Sequence, residues 1–295
     1  MDVFETDDWA PMQPQAPQPH FPSRYLRPTI APTVATHVTM PDGARIATFV
    51  YGSLANECVC MIHGNGEEHG IFGPIIDRLV EAGYCVVTLD SRAQGKSTRG
   101  TARLTYELMA KDAVCVLDAL KVASFHLLGF SDGGIEVLII ARDWPERTLS
   151  ATALGANLTP EGVIEAPEWD LAGEEVKMRA WAEYWTDPGT SCEMRPEDVD
   201  RTLLLPSPGE AYLTAELFRL MLDEPQIEAS SLASITCPVT VCVGEMDCIC
   251  PYETAQIARN IPNVRLKVIN DAYHSLPKHE VDFVTRLLLE TMASA

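Results

Sequence analysis

Apolar residues of this chain gather in short continuous runs that alternate with amphipathic stretches. The short runs are nearly all apolar, which is typical of strands buried on both faces of a sheet. The predicted strands are 34–39, 45–51, 58–62, 84–89, 124–130, 150–156, 239–244 and 264–270. Helical periodicity occupies 71–82, 105–120, 134–142, about 252–260 and about 278–292. Repeated strand–helix units predict an α/β fold with a mostly parallel sheet, whose ligands bind in the loops that follow the strands.

The alternation stops between about residues 158 and 230. Helix-like stretches occur there around 174–185, 196–204 and 212–222, separated by prolines and glycines, without a convincing buried strand. We therefore predict a helical insertion at 158–230 in a core made of 29–157 and 231–295. Residues 1–28 are acidic and proline-rich, which predicts an extended tail rather than a secretory signal.

Composition narrows the class of protein. The chain has 295 residues with 22 basic and 42 acidic side chains, a net charge of -20 that disfavours binding to nucleic acid or an anionic membrane. No apolar run reaches the length of a membrane span, so no membrane insertion is expected.

The 9 cysteines suggest buried reduced thiols and a cytoplasmic location. Two C-x-C pairs, 58/60 and 248/250, could hold a soft metal, but the four-ligand spacing of a zinc site is missing.

The segment Gly-Phe-Ser-Asp-Gly-Gly at 129–134 lies between a predicted strand and a predicted helix. This is the context of a nucleophile elbow, in which small neighbours let a strained turn present a serine. Ser131 is therefore the candidate nucleophile. The backbone N–H of Asp132 is the first candidate donor to an oxyanion, at the positive end of the helix. We expect the Asp132 carboxylate to be directed elsewhere, as an acid of the first helical turn.

A second glycine-containing loop, His-Gly-Asn-Gly at 63–66, follows the third strand. A loop of this kind can turn a backbone N–H toward the same oxyanion, and Asn65 is the predicted second donor. His63 is interpreted as a packed, hydrogen-bonded loop residue, because it precedes the serine in the chain order.

Asp247 and His274 follow the last two predicted strands, so the order along the chain is Ser, Asp, His. Each residue lies at the carboxyl end of a different strand, which predicts that they meet at one edge of the sheet. Imidazole can take the serine proton near neutral pH, and a carboxylate orients the imidazole. Glu245 and Asp271 are the rival acids. His279 is the rival base, although it lies inside the predicted last helix.

The loop at 90–97 also follows a strand and carries basic residues, but it lacks the spacing of a phosphate-binding loop. We interpret Asp90 and Arg92 as a structural pair that supports the floor of the site.

These motifs together resemble the α/β-hydrolase superfamily over about residues 34–292, apart from the insertion. The Ser-Asp-Gly-Gly form is similar to that of small-molecule esterases such as the valacyclovir-hydrolase-like group. The resemblance implies eight strands, one of them antiparallel near the start, and a helical cap inserted after the sixth strand. Ala93 stands where this superfamily usually has glycine.

The sequence therefore predicts a serine hydrolase that cleaves esters of small or medium substrates through an acyl-enzyme, without a metal or organic cofactor. The same three residues could instead act on an amide, a lipid ester, a carbon–carbon bond or a peracid. Two other classes stay open, a non-catalytic protein that binds a small ligand and a nucleotide-binding α/β protein. A homodimer is compatible with the sequence. We expect the aromatic residues of the insertion either to line a substrate pocket or to pack its helices onto the sheet. These residues are Trp169, Trp181, Tyr184, Trp185, Tyr212 and Phe218.

Overall fold

The computed structural model describes residues 26–165, 170–185 and 206–295. The helix predicted at 196–204, Trp169 and the side chain of Trp185 lie outside the described residues, as does most of the predicted tail.

Within the described residues, eight strands form one sheet, as the sequence predicts. In chain order the strands β1 to β8 are Val34–Thr39, Arg45–Tyr51, Cys58–Ile62, Cys85–Leu89, Phe125–Phe130, Thr148–Leu154, Val239–Gly244 and Val264–Ile269. They lie side by side in the order β1-β2-β4-β3-β5-β6-β7-β8. Strand β2 runs antiparallel to both of its neighbours, and every later pairing is parallel. The single reversed strand near the start is therefore confirmed.

Helices cover both faces of this sheet. In chain order α1 to α8 are Gly73–Glu81, Tyr106–Ala119, Asp132–Asp143, Leu171–Trp185, Pro208–Asp223, Pro251–Asn260, Leu276–His279 and Val281–Met292. Successive side chains of β3 point to opposite faces. Cys60 and Ile62 join one apolar core with α2 and α3, whereas Val59 and Met61 join a second core with α1 and α8. The strands β2 to β7 are thus buried between two helical layers, whereas the edge strands β1 and β8 are largely exposed.

Two helices, α4 and α5, lie in the chain between β6 and β7. They pack against each other through a small apolar cluster that includes Trp181 and Phe218. The indole N–H of Trp181 donates to the carbonyl of Pro206 at 2.9 Å. Ser207 and Glu210 form a capping box that starts α5. Both buried aromatic residues therefore pack the helices together, while Tyr184 and Tyr212 are exposed.

The ends of some helices differ from the pattern-based prediction. The stretch predicted at 71–82 begins as a 3-10 turn, His69–Phe72, before α1. The last predicted helix is divided at Glu280 into α7 and α8. Within the part of the chain that the structure describes, no helix is both long and apolar enough to span a membrane.

Candidate active site

Ser131 occupies a sharp turn between β5 and α3. Its backbone has φ 55 and ψ -118, a left-handed conformation that is rare for a residue with a side chain. Its N–H donates to the carbonyl of Leu154 at 2.8 Å, which ties the turn to β6. A Cβ at Gly129 would lie 1.9 Å from the carbonyl oxygen of Gly133, so this approach requires glycine. Such a strained residue, held in place by its surroundings, is typical of a functional position.

His274 and Asp247 lie beside this serine. The distance from His274 Nε2 to Ser131 Oγ is 2.9 Å, and the distance from His274 Nδ1 to Asp247 Oδ1 is 2.7 Å. The three residues come from loops after β8, β7 and β5, so the structure brings together the side chains that the sequence singled out. The rival acid Glu245 instead accepts a hydrogen bond from the backbone N–H of Asp271 at 3.1 Å.

Electrostatics favour an ionised Asp247 and stabilise the protonated ring of His274. The N–H of Ile249 donates to Asp247 Oδ1 at 3.0 Å. Burial raises the pKa of Asp247, but its contacts with His274 and with backbone N–H groups outweigh burial and lower that pKa. Burial lowers the pKa of His274, whereas Asp247 and the Cys248 thiol raise it, and the net shift is upward. The side chain of His274 is 25% exposed, so solvent and substrate can reach it.

Gly155, the residue after β6, lies directly against the imidazole. Its φ is +60, and an added Cβ would lie 2.8 Å from His274 Cε1 and 3.0 Å from Nδ1. The position therefore needs glycine both for its backbone and for the space that the imidazole occupies. Sequence reasoning missed it, because a glycine at the end of a strand carries no sign of its distant neighbour.

The side chains of Asn65 and Asp132, whose backbone N–H groups are the predicted oxyanion donors, contact each other close to Ser131. The amide of Asn65 donates to Asp132 Oδ2 at 2.9 Å. The loop that carries Asn65 approaches Ser131 closely, because a Cβ at Gly64 would lie 2.9 Å from the Cβ of Ser131. The Asp132 carboxylate is buried, and burial raises its pKa to about 6 although hydrogen bonds from Asn65 and Tyr106 lower it. This carboxylate fixes the side chain of Asn65, which leaves the backbone N–H groups as the candidate donors.

His63 is a packed loop residue, as predicted. It is buried, its Nδ1 lies 2.8 Å from the carbonyl oxygen of Gly64, and its Nε2 accepts from the N–H of Ser91 at 2.9 Å. These contacts place the ring proton on Nδ1. Burial lowers the pKa of His63 and favours the neutral ring.

The predicted pairing of Asp90 with Arg92 is wrong. Asp90 instead accepts from the His69 ring at 2.7 Å and from the Lys96 N–H at 2.9 Å. Arg92 is buried and pairs with Asp42 at 2.6 Å and with Asp112. The intervening backbone turn directs neighbouring side chains to different partners. Ala93 adopts φ 62, so an alanine takes the left-handed position where the superfamily usually has glycine.

A buried ion pair joins the loop after β3 to the helix after His274. Lys278 Nζ lies 2.6 Å from Glu67 Oε1, and the two side chains are 3% and 10% exposed. Burial raises the pKa of Glu67, although the contact with Lys278 acts to lower it. Nothing in the sequence distinguished Lys278 from a surface lysine of the last helix, so sequence reasoning missed this pair.

An eight-stranded sheet with this strand order and helices on both faces is the α/β-hydrolase fold, and the chain is an α/β-hydrolase enzyme. Residues 54–282 match the family described as serine aminopeptidase, S33 (Hydrolase_4), and the chain belongs to that family.

Relatives of known name cover most of the chain. Rhodomycin D methylesterase DauP from Streptomyces sp. (strain C5) is 29% identical over 235 residues, 68% of this chain and 79% of that protein. Serine hydrolase BPHL from Homo sapiens is 27% identical over 237 residues, 76% of this chain and 74% of that protein. The solved structure of the esterase EaEST from Exiguobacterium antarcticum superposes with a TM-score of 0.66 at 23% identity, covering 88% of this chain and 100% of that chain. This likeness supports the fold.

Proposed function

We propose that this protein hydrolyses carboxylic esters of small or medium-sized substrates through Ser131, His274 and Asp247. The observation that carries the proposal is the continuous contact from the Ser131 hydroxyl through the His274 ring to the Asp247 carboxylate, at 2.9 and 2.7 Å. This arrangement suits a general base oriented by an acid.

In the first half of the reaction, His274 Nε2 takes the proton of the Ser131 hydroxyl while Oγ attacks the ester carbonyl. The backbone N–H groups of Asn65 and Asp132 stabilise the oxyanion, and the start of α3 adds the positive end of its dipole. The protonated His274 then gives its proton to the leaving alcohol as the carbon–oxygen bond breaks. An acyl group remains on Ser131.

In the second half, His274 takes a proton from water, and the resulting hydroxide attacks the acyl carbonyl. The carboxylic acid leaves, and Ser131 regains its proton from His274. Asp247 stays ionised throughout and stabilises the imidazolium in both halves. No step of this scheme needs a cofactor.

We further propose that the insertion at 158–230 forms a cap over this site. The Asn65 amide also approaches the carbonyl of Leu217 in α5 at 3.4 Å. Arg99, in the loop after β4, pairs with Glu216 of the same helix at 2.9 Å. Because α5 contacts the loops that border Ser131, its residues can shape the acyl or alcohol pocket. The named relatives DauP and BPHL, a methylesterase and a serine hydrolase, favour ester substrates.

The test compares Ser131→Ala with Ser150→Ala. Ser150 is a matched control because its Oγ also contacts a histidine, lying 2.7 Å from His126 Nδ1, but it is fully buried at the amino end of the strands. We expect Ser131→Ala to lower ester turnover by at least about 10³-fold with unchanged circular dichroism, and to abolish labelling by a fluorophosphonate. Ser150→Ala should keep both turnover and labelling.

The type of bond that the enzyme cleaves is then determined by measuring turnover of a matched panel of esters and amides that share the same acyl group. Faster cleavage of esters supports the proposal. A preference for the amides would refute ester hydrolysis as the main activity, while retained ester turnover in Ser131→Ala would remove this serine from the mechanism.

A further inference from the structure

Three metal-ligand types converge beside the nucleophile. The Asp247 carboxylate, the Cys248 thiol and the His274 imidazole each offer one ligand atom, and these atoms all lie within 4.8 Å of one another. The His274 side chain is 25% exposed and Cys248 is partly buried, whereas the Asp247 side chain is 1% exposed, so an ion can enter from the side of His274 and Cys248. The sequence pattern had paired Cys248 with Cys250, whereas the structure pairs it with a residue from a different loop.

The backbone around Cys248 is held on both sides. The N–H of Ile164 donates to the carbonyl of Cys248 at 2.7 Å, and the N–H of Cys250 donates to the carbonyl of Gly162 at 2.7 Å. Val163 and Ile249 form an antiparallel bridge between these contacts. The backbone of Cys248 is therefore held beside this bridge, which reduces the ordering that binding would require.

The donor set suits zinc. Thiolate sulfur, imidazole nitrogen and carboxylate oxygen are the ligands that zinc takes in proteins, and three protein ligands leave one position open. Tetrahedral coordination at the usual bond lengths places ligand atoms about 3.5 Å apart. The three ligand atoms lie within 4.8 Å of one another, which is close to that spacing.

We propose that Asp247, Cys248 and His274 form an inhibitory site for zinc or a similar soft divalent cation. On binding, the Cys248 thiol releases its proton to solvent and the thiolate joins the metal. An imidazole that binds the metal through Nδ1 carries its proton on Nε2 and cannot accept the Ser131 proton. One that binds through Nε2 has lost the lone pair that faces Ser131. Either arrangement removes the base and also diverts Asp247 from orienting it.

Inhibition rests on the proposed function, but metal binding does not, so the first measurement observes binding directly. The full-length protein, freed of metal with a chelator and kept reduced, is titrated with Co²⁺, whose thiolate complexes absorb in the near ultraviolet. We expect a saturable cobalt–thiolate band in the wild type and in Ser131→Ala. The band should disappear in Cys248→Ser and His274→Ala, and persist in Cys250→Ser. Competition by Zn²⁺ should remove it.

The second measurement follows hydrolysis of a chromogenic ester against free Zn²⁺, each variant being normalised to its own metal-free rate. We expect at least about tenfold inhibition of the wild type, reversed by chelator, and a half-inhibitory concentration at least about tenfold higher in Cys248→Ser. Cys250→Ser should match the wild type. A cobalt band that survives in Cys248→Ser, or its absence from the wild type, would overturn the proposal, as would equal zinc sensitivity of wild type and Cys248→Ser.

Discussion

Replacing Gly155 by alanine tests whether the position of the imidazole limits the reaction. The added methyl group would lie 2.8 Å from His274 Cε1 and 3.0 Å from Nδ1. Carbon atoms pack at about 3.5–4.0 Å, so the ring must move by roughly 1 Å. The atom that meets the methyl group belongs to the end of a side chain, which can shift without disturbing the core. The loss should therefore fall mainly on activity.

The size of that loss follows from geometry. A misplacement of about 1 Å in a reacting group can lower the rate by about 10²-fold, which corresponds to about 2.7 kcal/mol of transition-state stabilisation. The left-handed backbone, with φ +60, adds a stability cost of about 1–2 kcal/mol for any residue with a Cβ. We expect Gly155→Ala to lower kcat by about 10- to 100-fold and the free energy of unfolding by about 1–2 kcal/mol.

Gly83→Ala provides the matched control. Gly83 has φ +92, yet an added Cβ there meets nothing within 4 Å. This variant should lose similar stability in urea and keep the wild-type kcat with a chromogenic ester. The contact with His274 does not control the reaction if Gly155→Ala folds and keeps the wild-type kcat. The same conclusion follows if kcat falls as far in Gly83→Ala as in Gly155→Ala.

Three further predictions concern ionisable side chains inside the protein, and each is tested by measuring the free energy of unfolding in urea. Lys278→Met should lower the free energy of unfolding by about 3 kcal/mol, because Glu67 is left without its cation. Adding Glu67→Gln should recover part of the loss. A urea midpoint equal to that of the wild type in the single variant would contradict this prediction. Asp42→Asn should lower the free energy of unfolding by about 1–3 kcal/mol at pH 7. The contact with Arg92 lowers the pKa of Asp42 below its usual 3.8, so this stabilisation is full above pH 3.8 and is lost as the pH falls through the folded-state pKa. The gap between wild type and Asp42→Asn should thus shrink in acid, and a constant gap would refute the assignment. Glu136→Met should raise the free energy of unfolding by about 1–3 kcal/mol. Neither carboxyl oxygen of Glu136 has a hydrogen-bond partner among the described residues, and burial holds the pKa of this side chain well above 4.5. A loss of stability in this variant would count against the prediction.

The strands and the convergence of Ser131, Asp247 and His274 could be predicted because their signals are local. The run 58–62 is apolar throughout, and the segment Pro-Asp-Gly at 41–43 is a strong turn signal between the strands predicted at 34–39 and 45–51. The bounds of β1, β2 and β3 therefore follow directly from the pattern. The order of Ser131, Asp247 and His274, each after a strand, was enough to place them at one sheet edge. The insertion boundaries at 158–230 stay a prediction.

The partners of charged side chains could not be predicted in the same way. Arg92 lies two residues from Asp90, but its partners Asp42 and Asp112 come from a hairpin and from α2. Proximity along the chain says little about which way a side chain leaves a tight turn. The start of α3 was misplaced for a related reason. Glycines usually disfavour helix, whereas here they fit the crowded passage after Ser131 and the helix begins at once.

The short bridge between Val163 and Ile249 has a consequence for engineering the substrate range. It joins the start of the predicted insertion to the segment that follows Asp247 and Cys248, so we expect changes at 162–164 to disturb Asp247 as well as the proposed cap. A library meant to alter selectivity while sparing chemistry should leave these three positions untouched and begin its diversification in α5. Grafting a foreign insertion onto this scaffold should likewise keep both halves of the bridge.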